Sequence, residues 1–130
     1  MKASPVVHFE MPAKDKKRAA KFYEEALGWD MKIVDEMGAY LLANTGPTEN
    51  GRPTNPGTIN GGFFDYDETK PGFQYPSVVV AVEDIKQGIE MVKKAGGKVF
   101  GEPMDIPTVG KFVSFEDTEG NRVGMLQPSM

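Results

Sequence analysis

Apolar and polar residues follow one order of patterns twice along the chain. In the first half, residues 6–11 form a short β-branched and aromatic run that predicts a strand, and Pro12 is expected to end it. Residues 14–27 carry apolar side chains at helical spacing, which predicts an amphipathic helix closed by Gly28. Three further strands are then predicted at residues 29–35, 40–44 and 58–64.

The second half repeats this order. Residues 77–82 form the clearest strand pattern of the chain, and residues 83–95 form a second helical pattern that a pair of glycines ends. Strands are then predicted at residues 98–101, 111–115 and 122–127. The polar stretches 45–57 and 65–75 contain turn-forming residues and are predicted to be loops.

A nearly constant offset relates the two halves. A shift of 69 residues places His8 on Ser77, and a shift of 72 places Tyr40 on Phe112. Near the last strand of each half, glycines match at an offset of 63. Because element order and spacing agree together, the chain is expected to contain an internal structural repeat.

The repeat predicts an α+β fold made of two βαβββ units, about residues 5–64 and 75–128, within one domain of residues 1–130. A helix can cover only one face of each small sheet. Two such sheets can bury the other face by closing into a half-open barrel. The cup of that barrel is the expected site for a small ligand.

Composition excludes several classes of function. The net charge of −4 argues against general nucleic-acid binding, which needs an excess of basic residues. The absence of cysteine excludes disulfide scaffolds and thiolate metal sites. No apolar run reaches the length of a membrane span, and the first residues lack the apolar region of a signal peptide. A cytoplasmic protein without membrane contact is therefore expected.

Several short motifs occur in a fixed order along the two halves. In the first half they are Val7-His8-Phe9, Arg18-Ala19-Ala20-Lys21-Phe22-Tyr23 and Leu27-Gly28-Trp29. In the second half they are Val82-Glu83-Asp84-Ile85, Ala95-Gly96-Gly97-Lys98-Val99 and Phe115-Glu116-Asp117-Thr118-Glu119-Gly120-Asn121. These motifs resemble those of the vicinal oxygen chelate superfamily, the group of glyoxalases, bleomycin resistance proteins and extradiol dioxygenases. The resemblance covers nearly the whole chain and implies a homodimer of paired βαβββ units. It also implies a divalent metal held in the cup by His, Glu or Gln from the first and last strands of both units.

The metal positions that the resemblance implies are mostly not filled by metal ligands. His8 occupies the first position, but Ser77 stands at its repeat partner. Gly124 stands seven residues after Asp117, and the offset of 63 pairs it with Gly61. Because serine and glycine supply no anionic donor, no metal cofactor is expected.

The remaining polar candidates lie on the first and last strands. His8 and Glu10 alternate with Phe9 and are the candidate catalytic residues, His8 as a base or as a satisfied inward group. Glu10 is expected to orient His8, to bind a cationic ligand or to pair with a basic residue such as Arg122. The run from Lys14 to Arg18 is interpreted as a solvated helix face.

Aromatic residues on or beside the predicted strands are candidates for the wall of the cup: Tyr40, Phe64, Tyr75 and Phe112. With the polar candidates they give the following predicted ligand-binding set: His8, Glu10, Tyr40, Ser77, Phe112 and Arg122. The preferred hypothesis is a protein that binds a small organic ligand without a metal. The alternatives are a lyase, isomerase or dioxygenase-like enzyme that uses His8 and Glu10, either with or without a metal, or a structural dimer whose cup is filled by its own side chains.

Overall fold

A computed structural model describes residues 2–129 of the chain. Their contacts divide the chain into two compact units. The first unit is His8–Pro76, and the second contains residues 77–129 together with the N-terminal residues 2–7. Among residues 2–129, no helix is long and apolar enough to cross a membrane.

The first unit has a mixed sheet, one α-helix and a short 3₁₀-helix at Asp35–Met37. Its elements are β1 (Val6–Ala13, which belongs to this unit from His8 onward), α1 (Lys16–Leu27), β2 (Asp30–Val34), β3 (Tyr40–Asn44), β4 (Thr48–Glu49), β5 (Arg52–Pro53) and β6 (Asn60–Asp65). The main sheet has the order β2-β3-β6-β1, and β4 and β5 form a separate two-stranded hairpin. Strand β1 is parallel to β6, whereas β3 is antiparallel to both β2 and β6.

The second unit has the same topology. Its elements are β7 (Ser77–Ala81), α2 (Ile85–Lys94), β8 (Lys98–Ile106), β9 (Gly110–Glu116) and β10 (Arg122–Pro128). The sheet order is β7-β10-β9-β8, with β7 parallel to β10 and β9 antiparallel to its two neighbours. The prediction of an α+β fold with two βαβββ units is confirmed.

Both α-helices are capped at their N-termini by an aspartate. The Asp15 carboxylate accepts a hydrogen bond from the Arg18 backbone N–H at 3.0 Å, and Asp84 accepts from two backbone N–H groups of α2 at 3.0 and 3.2 Å. These bonds satisfy donors that have no partner inside the helix. Helix α1 ends at Gly28, whose φ of 71° favours glycine.

Three predicted boundaries are wrong. Strand β1 continues through Pro12 to Ala13, because proline lacks only its own N–H donor and the strand stays paired with β6. Strand β8 extends to Ile106, but its register with β9 shifts between Phe100 and Met104. Because of this shift, the apolar residues of β8 do not alternate regularly along the sequence. The predicted loop 45–57 contains the hairpin of β4 and β5, whose two-residue strands are too short to leave a pattern.

Each helix covers one face of its own sheet. In the first unit the core includes the buried side chains of Leu41 and Phe63, packed with Phe9, Tyr23 and Trp29. In the second unit the core centres on three buried residues, Ile85, Val113 and Met125. Because side chains alternate along a strand, the neighbours of these residues lie on the face turned away from the helix.

Candidate functional site

His8, Glu10 and Tyr40 lie together on the face of the first sheet that is turned away from α1. Strand β1 alternates, so that Phe9 joins the core while His8 and Glu10 point to the other side. Tyr40 reaches the same side from the first position of β3. Strand β1 therefore places His8 and Glu10 on one face, as predicted, and Tyr40 lies beside them.

The strand register changes one predicted position. His8 lies opposite Asn60 and Glu10 lies opposite Gly62, so Asn60 and Gly62 share the face of His8. Gly61 lies on the other face, where a Cβ atom would overlap the ring of Phe9. The prediction that Gly61 occupies a ligand position is wrong by one residue, and a one-residue shift moves a side chain to the opposite face.

A chain of hydrogen bonds joins the three side chains. The Tyr40 hydroxyl donates to the Glu10 carboxylate at 2.9 Å, and His8 Nε2 lies 3.1 Å from the same hydroxyl oxygen. A tyrosine hydroxyl has one proton, and here Glu10 accepts it. His8 therefore donates its Nε2 proton to the Tyr40 oxygen, which leaves the lone pair of the neutral imidazole on Nδ1.

Burial sets the charge of the imidazole. Desolvation lowers the pKa of His8 from 6.5 to about 4, because a buried site disfavours the charged form. His8 is therefore neutral at pH 7. Glu10 is only 7% exposed, so its carboxylate is held well inside the sheet surface. A neutral base beside a fixed phenol and carboxylate can accept or relay a proton.

A cavity of about 310 Å³ adjoins Tyr40 within the first unit. Apolar and aromatic groups in its wall come from Met37, Tyr40, Phe64 and Phe73. The rings of Phe64 and Phe73 meet edge to face with centroids 5.1 Å apart. Tyr40 and Phe64 line this cavity of the first unit, whereas Tyr75 is 68% exposed and lies outside its wall. The prediction that these aromatic residues line a cup between the two sheets stays a prediction.

Two lysines and two aspartates also line the cavity: Lys16, Asp65, Asp67 and Lys70. The Lys16 side chain is only 15% exposed, and its ammonium donates to the Ala39 carbonyl at 2.7 Å and contacts Asp65 at 3.2 Å. Hydrogen bonds from Thr69 hold the pKa of Asp67 below its ordinary value of 3.8. The interpretation of residues 14–18 as a solvated face is wrong for Lys16, which folds back towards the β2–β3 turn.

The second unit places its three predicted site residues on a corresponding face. Arg122 is 8% exposed, and its Nη1 donates to the Ser77 hydroxyl at 3.1 Å. Phe112 covers Gly124, where a Cβ atom would lie 2.7 Å from the ring. Because Ser77 and Arg122 belong to a different unit from Glu10, the pairing of Glu10 with Arg122 stays a prediction.

Each sheet carries a glycine beneath an aromatic ring. A Cβ at Gly62 would overlap the Tyr40 ring, as one at Gly124 would overlap the Phe112 ring. Tyr40 and Phe112 are the residues that the offset of 72 matches. The equivalent glycines are 62 residues apart, one fewer than the offset that led to Gly61.

The donor atoms near His8 do not fit a divalent metal site. The side-chain amide oxygen of Asn60, Oδ1, already accepts a hydrogen bond from the Thr45 backbone N–H at 2.9 Å, and Gly62 has no side chain. Within residues 2–129, no cluster of three or more His, Cys, Asp or Glu side chains could hold a metal ion. A metal needs several converging donors, and one strand with His8 and Glu10 does not enclose an ion.

Sequence reasoning missed Lys16, Lys70 and Phe73 as cavity residues. Lys16 and Lys70 resemble ordinary surface lysines in the sequence, and Phe73 lies in a polar connection. Their placement depends on how the turn before Tyr40 and the segment after β6 fold over the sheet. No local pattern in the sequence carries that information.

Curated relatives carry glyoxalase-related names. A glyoxylase-like domain-containing protein of Didymella fabae is 36% identical over 117 residues, which cover 86% of this chain and 84% of that protein. A lactoylglutathione lyase of Oryza sativa subsp. japonica is 30% identical over 129 residues. These residues cover 92% of this chain but only 43% of the lyase.

Solved structures share the fold at low sequence identity. The methylmalonyl-CoA epimerase of Streptomyces coelicolor superposes with a TM-score of 0.69 at 12% identity, over 99% of this chain and 100% of that chain. A superfamily member from Vibrio splendidus 12B01 gives a TM-score of 0.60 at 14% identity, over 98% and 100% of the two chains. Likeness at this level of identity concerns the fold alone.

A family model matches the part of the chain that contains both units and the motifs around His8 and Asp117. The model of the Glyoxalase/Bleomycin resistance protein/Dioxygenase superfamily matches residues 6–125, which include both βαβββ units almost entirely. This chain therefore belongs to the Glyoxalase/Bleomycin resistance protein/Dioxygenase superfamily.

Proposed function

We propose that this protein binds a small organic ligand in the cavity of the first unit and does so without a divalent metal. The observation that carries the proposal is the cavity of about 310 Å³, with Tyr40 in its wall. Tyr40 is fixed by hydrogen bonds to His8 and Glu10, so its polar end is already oriented before a ligand arrives. Binding sites for small molecules usually combine an apolar wall with a few such fixed polar groups.

The size of the cavity supports a ligand of modest size. Its volume lies at the lower end of the range of roughly 300–1,000 Å³ that is typical of small-molecule sites. Two curated relatives have names that refer to one small organic compound, lactoylglutathione. This chain spans less than half of those lyases, so a shared substrate is itself only a proposal.

The experiment that tests ligand binding is nuclear magnetic resonance of the amide groups with a panel of small acids, alcohols, amines and ketones. We expect some compounds to shift the signals of Gly38 and Phe73, with smaller shifts at Glu102 in the second unit. Tyr40→Phe should weaken the binding of polar compounds, whereas Tyr66→Phe, outside the cavity wall, should not. If no compound shifts the cavity signals, the proposal is wrong.

Metal independence has its own test, because it rests on different residues. Ser77 accepts a hydrogen bond from the positively charged Arg122, and Gly62 and Gly124 offer no side chain. Calorimetric titration with Zn²⁺, Ni²⁺, Mn²⁺ and Fe²⁺ should detect no tight stoichiometric binding. One tight site that His8→Ala abolishes would contradict this part of the proposal.

A second candidate function is enzymatic proton transfer, favoured by the lone pair on His8 Nδ1. A neutral imidazole can remove a proton from carbon and return it, while Tyr40 and Glu10 hold the ring in one tautomer. The names of relatives suggest two assays, the turnover of lactoylglutathione and the epimerisation of methylmalonyl-CoA. Activity that His8→Ala abolishes would favour an enzyme, and its absence in the wild type would favour binding alone.

We also propose that the protein forms a homodimer. Two apolar side chains of α1, Phe22 and Leu27, are 58% and 57% exposed, and a second copy of the chain would remove such surface from water. Light scattering at micromolar concentration should give twice the mass of one chain. A mass of 14.3 kDa would contradict the proposal.

A further inference from the structure

The ammonium group of Lys16 is a charge in the cavity wall that is largely shielded from solvent. Its side chain is 15% exposed, compared with 80% for its partner Asp65. An ammonium nitrogen has three N–H donors. One donates to the Ala39 carbonyl, and Asp65 forms an ion pair with the ammonium at 3.2 Å, so the group keeps donor capacity for a ligand.

The two contacts also fix the position of the ammonium. Lys16 is the first residue of α1, and its side chain connects the helix to the β2–β3 turn and to the end of β6. A flexible lysine loses rotamer freedom when it binds a ligand, and this cost falls when the side chain is already held. The donor is therefore prepared for an acceptor in the cavity.

The aspartates of the wall do not offset this preference for an acceptor. Asp65 already contacts Lys16 and is mostly in solvent, where its field is screened. Asp67 accepts hydrogen bonds from the backbone N–H and the hydroxyl of Thr69 at 2.8 and 2.6 Å. Asp67 therefore has hydrogen-bond donors of its own, and Asp65 acts on Lys16 only through an exposed ion pair.

Another part of the wall is aromatic. Phe64 and Phe73 meet edge to face, and the Lys70 ammonium lies over the Phe73 ring at 5.5 Å from its centroid. A ring on a ligand can pack against these side chains, since aromatic groups pair favourably in offset or edge-to-face arrangements. Because the Lys70 ammonium already lies over the Phe73 ring, a cationic ligand would gain less from a cation–π contact with that ring.

We propose that the ligand of this cavity is a small aromatic carboxylate, with its carboxylate on the Lys16 ammonium and its ring against Phe64 and Phe73. This inference rests on the proposed function, because it names the ligand class of the same cavity. The volume of about 310 Å³ accommodates a single-ring compound with a short substituent.

Three probes with one ring and different charges test the inference: benzoate, benzyl alcohol and benzylamine. Each is titrated into the full chain, and binding is followed through the amide signals of Gly38 and Phe73. We expect benzoate to bind at least about tenfold more tightly than benzyl alcohol, as a charge-assisted hydrogen bond provides. Added salt should weaken the binding of benzoate and leave that of benzyl alcohol nearly unchanged.

A matched pair of variants tests whether Lys16 supplies the positive charge that binds the carboxylate. Lys16→Met should remove the preference for benzoate, whereas Lys17→Met, at the exposed neighbouring position, should keep it. Lys16→Arg should restore part of the preference because the positive charge remains. If Lys16→Met does not fold, the comparison of the three probes in the wild type, with its salt dependence, still decides the question.

The possible results separate this inference from the proposed function. If benzyl alcohol binds as tightly as benzoate, or benzylamine binds best, the carboxylate inference is wrong while ligand binding stands. If Lys17→Met abolishes the preference as Lys16→Met does, the assignment to Lys16 is wrong. If neither these probes nor the wider panel of compounds shifts the cavity signals, both proposals fail.

Discussion

Lowering the pH from 7.5 to 5 should destabilise this protein through His8. The imidazole is neutral in the folded chain because burial lowers its pKa from 6.5 to about 4. In the unfolded chain it has its ordinary pKa, so the unfolded state binds more protons between these values. The stabilising contribution of a neutral His8 is therefore nearly complete above pH 6.5 and is lost as the pH drops from 6.5 towards 4. Below pH 4 His8 causes no further loss of stability.

The size of the effect follows from the difference in pKa. One pKa unit corresponds to about 1.4 kcal/mol, so the full loss is about 3 kcal/mol. At pH 5 the unfolded histidine is almost fully protonated while the folded one is mostly neutral, and the loss has reached about 2 kcal/mol. This is a large part of the stability of a typical small domain.

Urea denaturation at pH 7.5, 6.5 and 5 measures the effect, with His8→Gln as the control. Glutamine keeps a hydrogen-bond donor near Tyr40 but does not titrate. Subtracting the pH dependence of the variant removes the contribution of the carboxyl groups that both proteins share. His8→Gln should lose about 2 kcal/mol less than the wild type between pH 7.5 and 5.

A direct titration of the His8 ring tests whether burial lowers its pKa. His8 is the only histidine in the chain, so its ring protons can be followed by nuclear magnetic resonance without assignment of others. A midpoint near 4 is expected. A midpoint near 6.5, or equal pH dependence in both proteins, would show that burial does not keep His8 neutral.

Three further changes test the packing and the helix cap. Gly62→Ala places a Cβ on the Tyr40 ring and should destabilise the fold by roughly 1–3 kcal/mol in urea denaturation; Gly46→Ala, whose Cβ would have its nearest neighbour at 3.9 Å, should cost much less, and equal effects would refute the predicted overlap. Asp84→Ala removes the acceptor for two backbone N–H groups of α2 and should cost about 1 kcal/mol; an unchanged unfolding midpoint would show that the cap contributes nothing. Trp29→Ala removes a ring stacked on Tyr23 at 4.8 Å and should lower the thermal midpoint; unchanged stability would mean that this stack is not part of the core.

Much of the fold could be predicted from the sequence because the repeat constrains it. Both helices show a clear periodicity, and the predicted cap at Gly28 is confirmed. The first strand was harder, since Pro12 predicts an end that pairing with β6 overrides. Pairing between distant strands is a tertiary effect, and local patterns do not report it.

The site was predictable only where strand alternation decides it. His8 and Glu10 share a face because they are two residues apart on β1, and that prediction needs no other strand. Gly61 depended on an offset carried across loops, and an error of one residue exchanged the two faces. Lys16 depended on the folded positions of Ala39 and Asp65, which its neighbours in sequence do not indicate.

The pairing of a glycine with an aromatic ring in each sheet restricts the order in which this chain can change. Any side chain at Gly62 or Gly124 meets the ring of Tyr40 or Phe112, so a carboxylate cannot be introduced there by a single tolerated step. The aromatic residue has to become smaller first, and that step by itself would leave a gap over the glycine. Each pair is therefore expected to change together or not at all, so laboratory evolution towards new chemistry on these faces would start from double substitutions.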